Sequence, residues 1–107
     1  MNAGMLHIRL GDVEWSEIAP GVERGELPPD MAGAGAALLR FAAGARSGAH
    51  RHPEGEELFL LSGSLRVGEV VMGVGDYLYT PPNGVNDAEA YEDTIVFQHQ
   101  SAPIEFI

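Results

Sequence analysis

The chain contains no cysteine and no lysine, and only four of its 107 residues are histidine. Without thiols it can carry neither disulfide staples nor thiolate metal sites. Its positive charge rests on six arginines, Arg9, Arg24, Arg40, Arg46, Arg51 and Arg66, scattered among sixteen acidic residues, for a net charge of −10. That balance leaves no footprint for a nucleic-acid backbone or an anionic membrane surface. An acidic chain of this kind suits cations and small molecules instead. No apolar run approaches the ~20 residues needed to cross a bilayer. The opening stretch "MNAGMLHIRLGD" has no basic segment followed by a long apolar run and no small-residue cleavage pattern, so a cytoplasmic location is expected.

Helix signals are equally scarce. Fourteen glycines and seven prolines interrupt every 3.6-residue pattern. The one capping-like start, Ser16 in "SEIAP", is ended by Pro20 within a turn. Short strand signals are many. "LHIRL" (Leu6–Leu10) alternates apolar and polar residues, and "AALLRF" (Ala36–Phe41) reads as a mostly buried strand. "ELFLL", "LRV", "VVM", "YLYT" and "TIVFQH" follow, with Gly68-Glu69 as a two-residue hairpin turn between the second and third of these. Strands this short, joined by turns this tight, predict an all-β antiparallel sandwich or barrel. Residues 1–107 read as one domain. A chain of this length buries a thin core, and a homodimer paired through the apolar N-terminal strand is expected to extend it. "MAGAGAA" (Met31–Ala37) reads as a flexible approach to the "LLRF" strand.

What is present in place of thiols is a histidine pair. In "GARSGAHRHPEGEELFLLSG", His50 and His52 are separated by one residue, and Glu56 follows after Pro53-Glu54-Gly55. On a strand, residues i and i+2 share a face about 6.6 Å apart. Two imidazoles so placed can reach one ion at bond lengths of ~2 Å. The Pro-Glu-Gly bend suits the return of a carboxylate to the same point. Two histidines and one carboxylate form the facial set of non-haem iron sites with open positions. The plainer reading is an exposed loop whose histidines sit beside glutamates.

The wider spacing favours the sharper reading. Gly44, five residues, His50, one, His52, three, Glu56, six, Gly63 is the pattern of the first cupin motif, and the chain resembles that superfamily. Six residues between Glu56 and Gly63 select Glu56 over Glu57 as the motif glutamate; Glu54 reads as solvent-facing. The resemblance implies an antiparallel jelly-roll β-barrel of the RmlC-like type. It also implies a divalent first-row transition metal, Fe, Mn, Ni or Zn, bound by His50, His52 and Glu56. The second motif departs from the family. "GDYLYTPPNGVNDA" carries the proline-x-glycine step at Pro82-Asn83-Gly84, with one extra residue before it, but Asp87 stands where the family has its fourth ligand, a histidine. Asp87 in that place, His99 reaching in from the last long strand, or a site one ligand short are the three readings. Asn86 is a weaker neighbour.

The flanks, from "VEWSEIAPGVERGEL" onward, are similar to the branch that holds the sensory cupin of an anti-sigma factor and dihydroxyacetophenone dioxygenase-like proteins. The similarity does not extend to the upstream zinc domain that binds the sigma factor, so a direct anti-sigma role is not implied. Two functions follow as expectations: a dioxygenase-like metal enzyme on a small organic substrate, or a non-catalytic sensory or regulatory cupin that binds a metal or ligand. Phe41, Leu58, Phe59, Leu60, Tyr77, Tyr79 and Phe97 are expected mostly in the core. Trp15 is expected to pack the N-terminal segment on the barrel or on a partner subunit.

Overall fold

The computed structural model of the chain describes residues 3–29 and 32–106. Its strands are β1 (Ser16–Ala19), β2 (Val22–Glu26), β3 (Gly35–Phe41), β4 (Arg46–His52), β5 (Glu56–Ser62) and β6 (Leu65–Val67). They continue with β7 (Val70–Met72), β8 (Tyr77–Thr80), β9 (Gly84–Ala90), β10 (Thr94–Gln100) and β11 (Glu105–Phe106). Every strand pair is antiparallel. Two sheets result, a six-stranded one in the order β1-β2-β3-β10-β5-β8 and a five-stranded one in the order β11-β4-β9-β6-β7. The architecture is a jelly-roll sandwich of two sheets rather than one continuously bonded barrel. Among the described residues there is no α-helix, only a 3-10 turn at Leu10–Asp12.

The apolar core lies between the sheets and includes Val22, Leu39, Phe41, Leu58, Leu60, Leu65, Val67, Met72, Ala88 and Val96. Side chains on a strand alternate faces, so one strand's phase decides everything it buries. Thr94, Val96, Gln98 and Gln100 of β10 are buried, while Ile95, Phe97 and His99 face outward. On three strands the inward positions pass from apolar to polar toward the same end of the sandwich. They run Leu60, Leu58, Glu56 on β5, Ala90, Ala88, Asn86 on β9, and Val96, Gln98, Gln100 on β10. Gln98 and Gln100 stand opposite Ala37, with only a methyl group, and Gly35, with no side chain, of β3.

Several sequence expectations are corrected. Leu6–Leu10 is no strand: its apolar residues Leu6, Ile8 and Leu10 stay exposed, so the alternation has no buried face to stabilise it. The helix-like start at Ser16 opens β1 instead, because pairing with β2 (Ser16↔Arg24) satisfies its backbone. Phe59, Tyr77 and Tyr79 face outward and are exposed, and Phe97 is half-buried, whereas Phe41, Leu58 and Leu60 are core. Trp15 packs on the outside of the six-stranded sheet, with the Arg40 guanidinium 4.1 Å from its ring. Within "MAGAGAA", Met31 lies outside the described residues; Gly35–Ala37 already belong to β3.

The turns demand specific residues. Gly63 ends the first motif at φ 90°, and a Cβ there would meet Thr94 Oγ1 at 2.3 Å and the Asp93 carbonyl at 2.4 Å. Gly63→Ala is therefore expected to destabilise the fold by more than about 1 kcal/mol. Thermal or urea unfolding measures this; a domain this small loses roughly 4–8 °C in melting temperature for each kcal/mol.

Candidate metal centre and cavity

β4 presents His50 and His52 on its inner face, as i, i+2 residues of a strand must. Their rings meet edge to face with centroids 4.7 Å apart. The chain then turns through Pro53-Glu54. The carbonyl oxygen of His52 accepts from the Gly55 amide at 3.1 Å and from the Asn83 amide at 2.8 Å. Gly55 sits at φ 84°, and a Cβ there would lie 2.8 Å from the Thr80 carbonyl, so only glycine fits the bend. Glu56 emerges at the start of β5, 4% exposed, with its Oε1 3.3 Å from His52 Nε2.

The hydrogen bonds settle both tautomers. His50 Nδ1 lies 2.7 Å from the Gly48 carbonyl, which can only accept, so Nδ1 carries the proton. Gln100 donates its Nε2 to the Gly33 carbonyl at 2.7 Å, which turns its Oε1 to His52 Nδ1 at 3.3 Å. His52 therefore also carries its proton on Nδ1. In the neutral rings both Nε2 atoms keep their lone pairs, the form in which imidazole binds metals. His52 Nε2 is fully buried and has no hydrogen-bond partner among the described residues, although the Glu56 carboxylate faces it. Two electron-rich atoms opposed at 3.3 Å need a positive centre beside them, a proton or a metal ion. The donor chemistry of these residues fits a divalent transition ion. The described residues themselves do not draw three His, Asp or Glu side chains into a closed ligand shell.

The fourth position differs from the sequence expectation. In the β4–β9 register, His50 stands opposite Asn86. Asn86 thus shares the inner face, and Asp87, the next residue, is turned to the other. Arg66 holds Asp87 there in a fork, Nη1 to Oδ1 at 3.2 Å and Nη2 to Oδ2 at 3.3 Å. These bonds keep the Asp87 carboxyl below the usual carboxylate range. His99 is also turned outward, with Nδ1 3.8 Å from Glu57 Oε2, because Gln98 and Gln100 hold the inward phase of β10. Neither Asp87 nor His99 is brought to the histidine pair.

Gln98 and Arg24, which the sequence reading passed over, and Asn86, read there as a weaker neighbour, complete the site. Gln98 Nε2 donates to Glu56 Oε2 at 2.5 Å. Arg24 of β2 donates through Nη1 to Gln98 Oε1. Asn86 Nδ2 donates to Thr80 Oγ1 at 3.2 Å. Beside this polar end lies a cavity of about 220 Å³, otherwise walled by residues such as Val22, Leu39, Phe41, Val67, Val96 and Phe106. Burial is the main cause that pushes the Glu56 carboxyl up, against lowering by the Gln98 hydrogen bond, by His50, by Asn86 and by Arg24. Burial likewise pushes the His52 imidazole down, against smaller raising influences of Gln100 and Asn86.

The sequence of residues 3–105 matches the family model described as the ChrR cupin-like domain. The chain belongs to that family. The anti-sigma factor ChrR of Rhodobacter sphaeroides, in a structure with SigE, is 28% identical over 84% of this chain, with a TM-score of 0.74. This chain spans about half of that one, 49%. An RmlC-like cupin from Shewanella frigidimarina is 23% identical over 88% of each chain, with a TM-score of 0.73. An acetylacetone dioxygenase from Acinetobacter johnsonii shares the fold at a TM-score of 0.82, covering 97% of this chain and 78% of its own at 14% identity. No curated protein matches the chain.

The two pKa shifts predict opposite pH slopes in metal-free protein. His52 is held below the ordinary 6.5, so the unfolded chain binds more protons there, and stability falls as pH drops below 6.5. Glu56 is held above the ordinary 4.5, so the folded chain binds more protons, and stability falls as pH rises above 4.5. Urea unfolding with chelator present separates them. Glu56→Gln is expected to steepen the rise of stability toward pH 6.5, and His52→Gln to leave only the fall above 4.5.

Proposed function

We propose that this cupin holds a divalent first-row transition ion through Nε2 of His50, Nε2 of His52 and the carboxylate of Glu56, and acts on a small organic substrate in the adjoining cavity. The observation that carries this reading is the buried His52 Nε2, without a hydrogen-bond partner among the described residues and facing the Glu56 carboxylate. Asn86, opposite His50, takes the place expected for Asp87. A bound ion of this kind supplies Lewis acidity and open positions for a ligand. The chain's own residues do the rest. Gly48 and Gln100 fix the two tautomers, Gln98 aims the carboxylate, and the apolar wall excludes water. An oxygen-dependent reaction is the enzyme class we favour, because the fold neighbours include a protein described as an acetylacetone dioxygenase.

A sensory or regulatory cupin is the second reading, favoured by the ChrR cupin-like family match and the 28% identity to ChrR. Oxygen uptake with acetylacetone and a panel of aromatic and keto-acid substrates separates the two; uptake by none of them favours the sensor.

Purified protein is expected to carry close to one equivalent of metal by elemental analysis. His52→Ala is expected to lose it, and Gln100→Leu, which frees the His52 tautomer, to weaken affinity about 10–100-fold. Asp87→Asn is expected to leave metal content unchanged, since that side chain faces Arg66. Wild-type protein that stays metal-free after reconstitution defeats the reading.

A homodimer through the outer face of the six-stranded sheet accompanies this proposal. Leu38, Phe97, Phe59 and Tyr77 stand directly opposite one another across β3, β10, β5 and β8, forming one uncharged apolar row. Phe59 is 41% and Tyr77 57% exposed, so that end of the row is uncovered in a single chain, while Leu38 is buried and Phe97 half-buried. Sedimentation velocity is expected to show a dimer that Phe59→Glu converts to monomer; a wild-type monomer removes the dimer from the proposal.

A further inference from the structure

One side of the cavity is weakly held. Its lining is buried or half-buried except at Ile18, Pro103 and Phe106. It therefore meets solvent between β1, an edge strand of the six-stranded sheet, and the last residues described. Those residues leave β10 at Gln100, whose side chain is tied to the Gly33 carbonyl and to His52 Nδ1. They bend at Ser101 and Ala102 and return along the edge of the five-stranded sheet as β11. Pro103, Ile104 and Phe106 line the cavity. Phe106 stands opposite His50 in the β11–β4 register, and the two rings meet edge to face with centroids 6.1 Å apart.

Little holds this segment down. β11 pairs with β4 over two residues, Glu105 with Arg51 and Phe106 with His50. Among the described residues one side-chain bond spans that pairing, Arg51 Nε to Glu105 Oε1 at 3.1 Å, and it joins two exposed groups. Exposed ion pairs contribute little. Nothing from Ser101 to Phe106 is fully buried, and Phe106 itself is 64% exposed. Lifting the segment uncovers little apolar surface that water does not already reach, which is the condition for local opening without unfolding of the rest. β4 keeps its pairing with β9 on the other side. We propose that Ser101–Phe106 is a strap that gates the cavity. It opens about the Ser101-Ala102 bend, withdraws Phe106 from His50 and admits a small molecule to the imidazole pair. The role of the strap rests on the reading of this cavity as the place where the protein acts, and it requires no bound metal.

Chemical labelling of the imidazoles reads the opening. Diethyl pyrocarbonate acylates an unprotonated ring nitrogen, and His50, 7% exposed, is reached only when the strap lifts. His7 and His99 are exposed and serve as internal standards. Chelator-treated protein is labelled at neutral pH, and each histidine is followed by peptide mass spectrometry. The chain has no cysteine of its own, so Arg51→Cys with Glu105→Cys places a single disulfide across the β11–β4 pair. Opposed antiparallel residues lie about 4.5–5.5 Å apart at Cα, within disulfide reach. Neither residue lines the cavity. In wild-type protein His50 is expected to label at least tenfold more slowly than His99. The crosslink is expected to slow it at least tenfold further, and reduction with thiol blocking to return it to the wild-type rate or above. Glu105→Ala, which removes the ion pair, is expected to speed it about two- to fivefold. An unchanged His50 rate in crosslinked protein overturns the proposal. So does a wild-type rate equal to that of His99, or one no faster than global unfolding measured in parallel. If the crosslink does not form, Phe106→Ala decides: faster His50 labelling is expected, and an unchanged rate overturns the strap. Gated labelling in protein that never takes up metal removes the metal proposal and leaves this one standing. Stoichiometric metal in protein whose His50 rate ignores the crosslink does the reverse.

Discussion

A line of buried polar side chains, Arg24 to Gln98 to Glu56 to His52 to Gln100, governs the polar end of this sandwich. Each member has lost water and depends on the next for a hydrogen bond, and a single unpaired member costs about 1–3 kcal/mol. The line crosses four strands, β2, β10, β5 and β4, so it also fixes how those strands approach one another. Only one junction lacks a hydrogen bond, that between His52 Nε2 and Glu56. Networks of this type are worth having only when every member is satisfied. The gap is therefore the place where an additional positive centre would satisfy the line.

How much of this was legible depended on whether strand phase could be read locally. His50, His52 and Glu56 were legible because their spacing is short and a single bend, forced by Gly55, connects them. The fourth position was not. Counting from Pro82-Asn83-Gly84 leads to Asp87, but the sheet register, set across β4 and β9, puts Asn86 inward. A shift of one residue exchanges the two faces, and nothing within "GVNDA" itself reveals the phase. In "TIVFQHQ" the signal existed: Val96 shares its phase with Gln98 and Gln100, and these leave His99 outside.

The fold class followed from glycine and proline punctuation, and β3, β5, β6, β7, β8 and β10 were visible as strands. β1, β2 and β9 were not, since "SEIA", "VERGE" and "GVNDAEA" are too polar to announce a buried face. Pairing with a neighbour orders them. The same cause hid Arg24: a charged residue in a polar strand looks solvated until β2 is laid against β3. Alternation also misassigned the aromatics, because β5, β8 and β10 carry apolar side chains on both faces.

The carbonyl oxygen of His52, which accepts from both Gly55 and Asn83, has a consequence for how such sites diverge. It joins the segment bearing the histidine pair and glutamate to the loop that launches β9. An insertion in that loop can be absorbed only ahead of Asn83, because the stretch from Asn83 to Asn86 is pinned at its start by this oxygen and at its end by the sheet. The extra residue before Pro82 lies on the permitted side. On this scaffold the approach can change in length without moving the residue that faces His50.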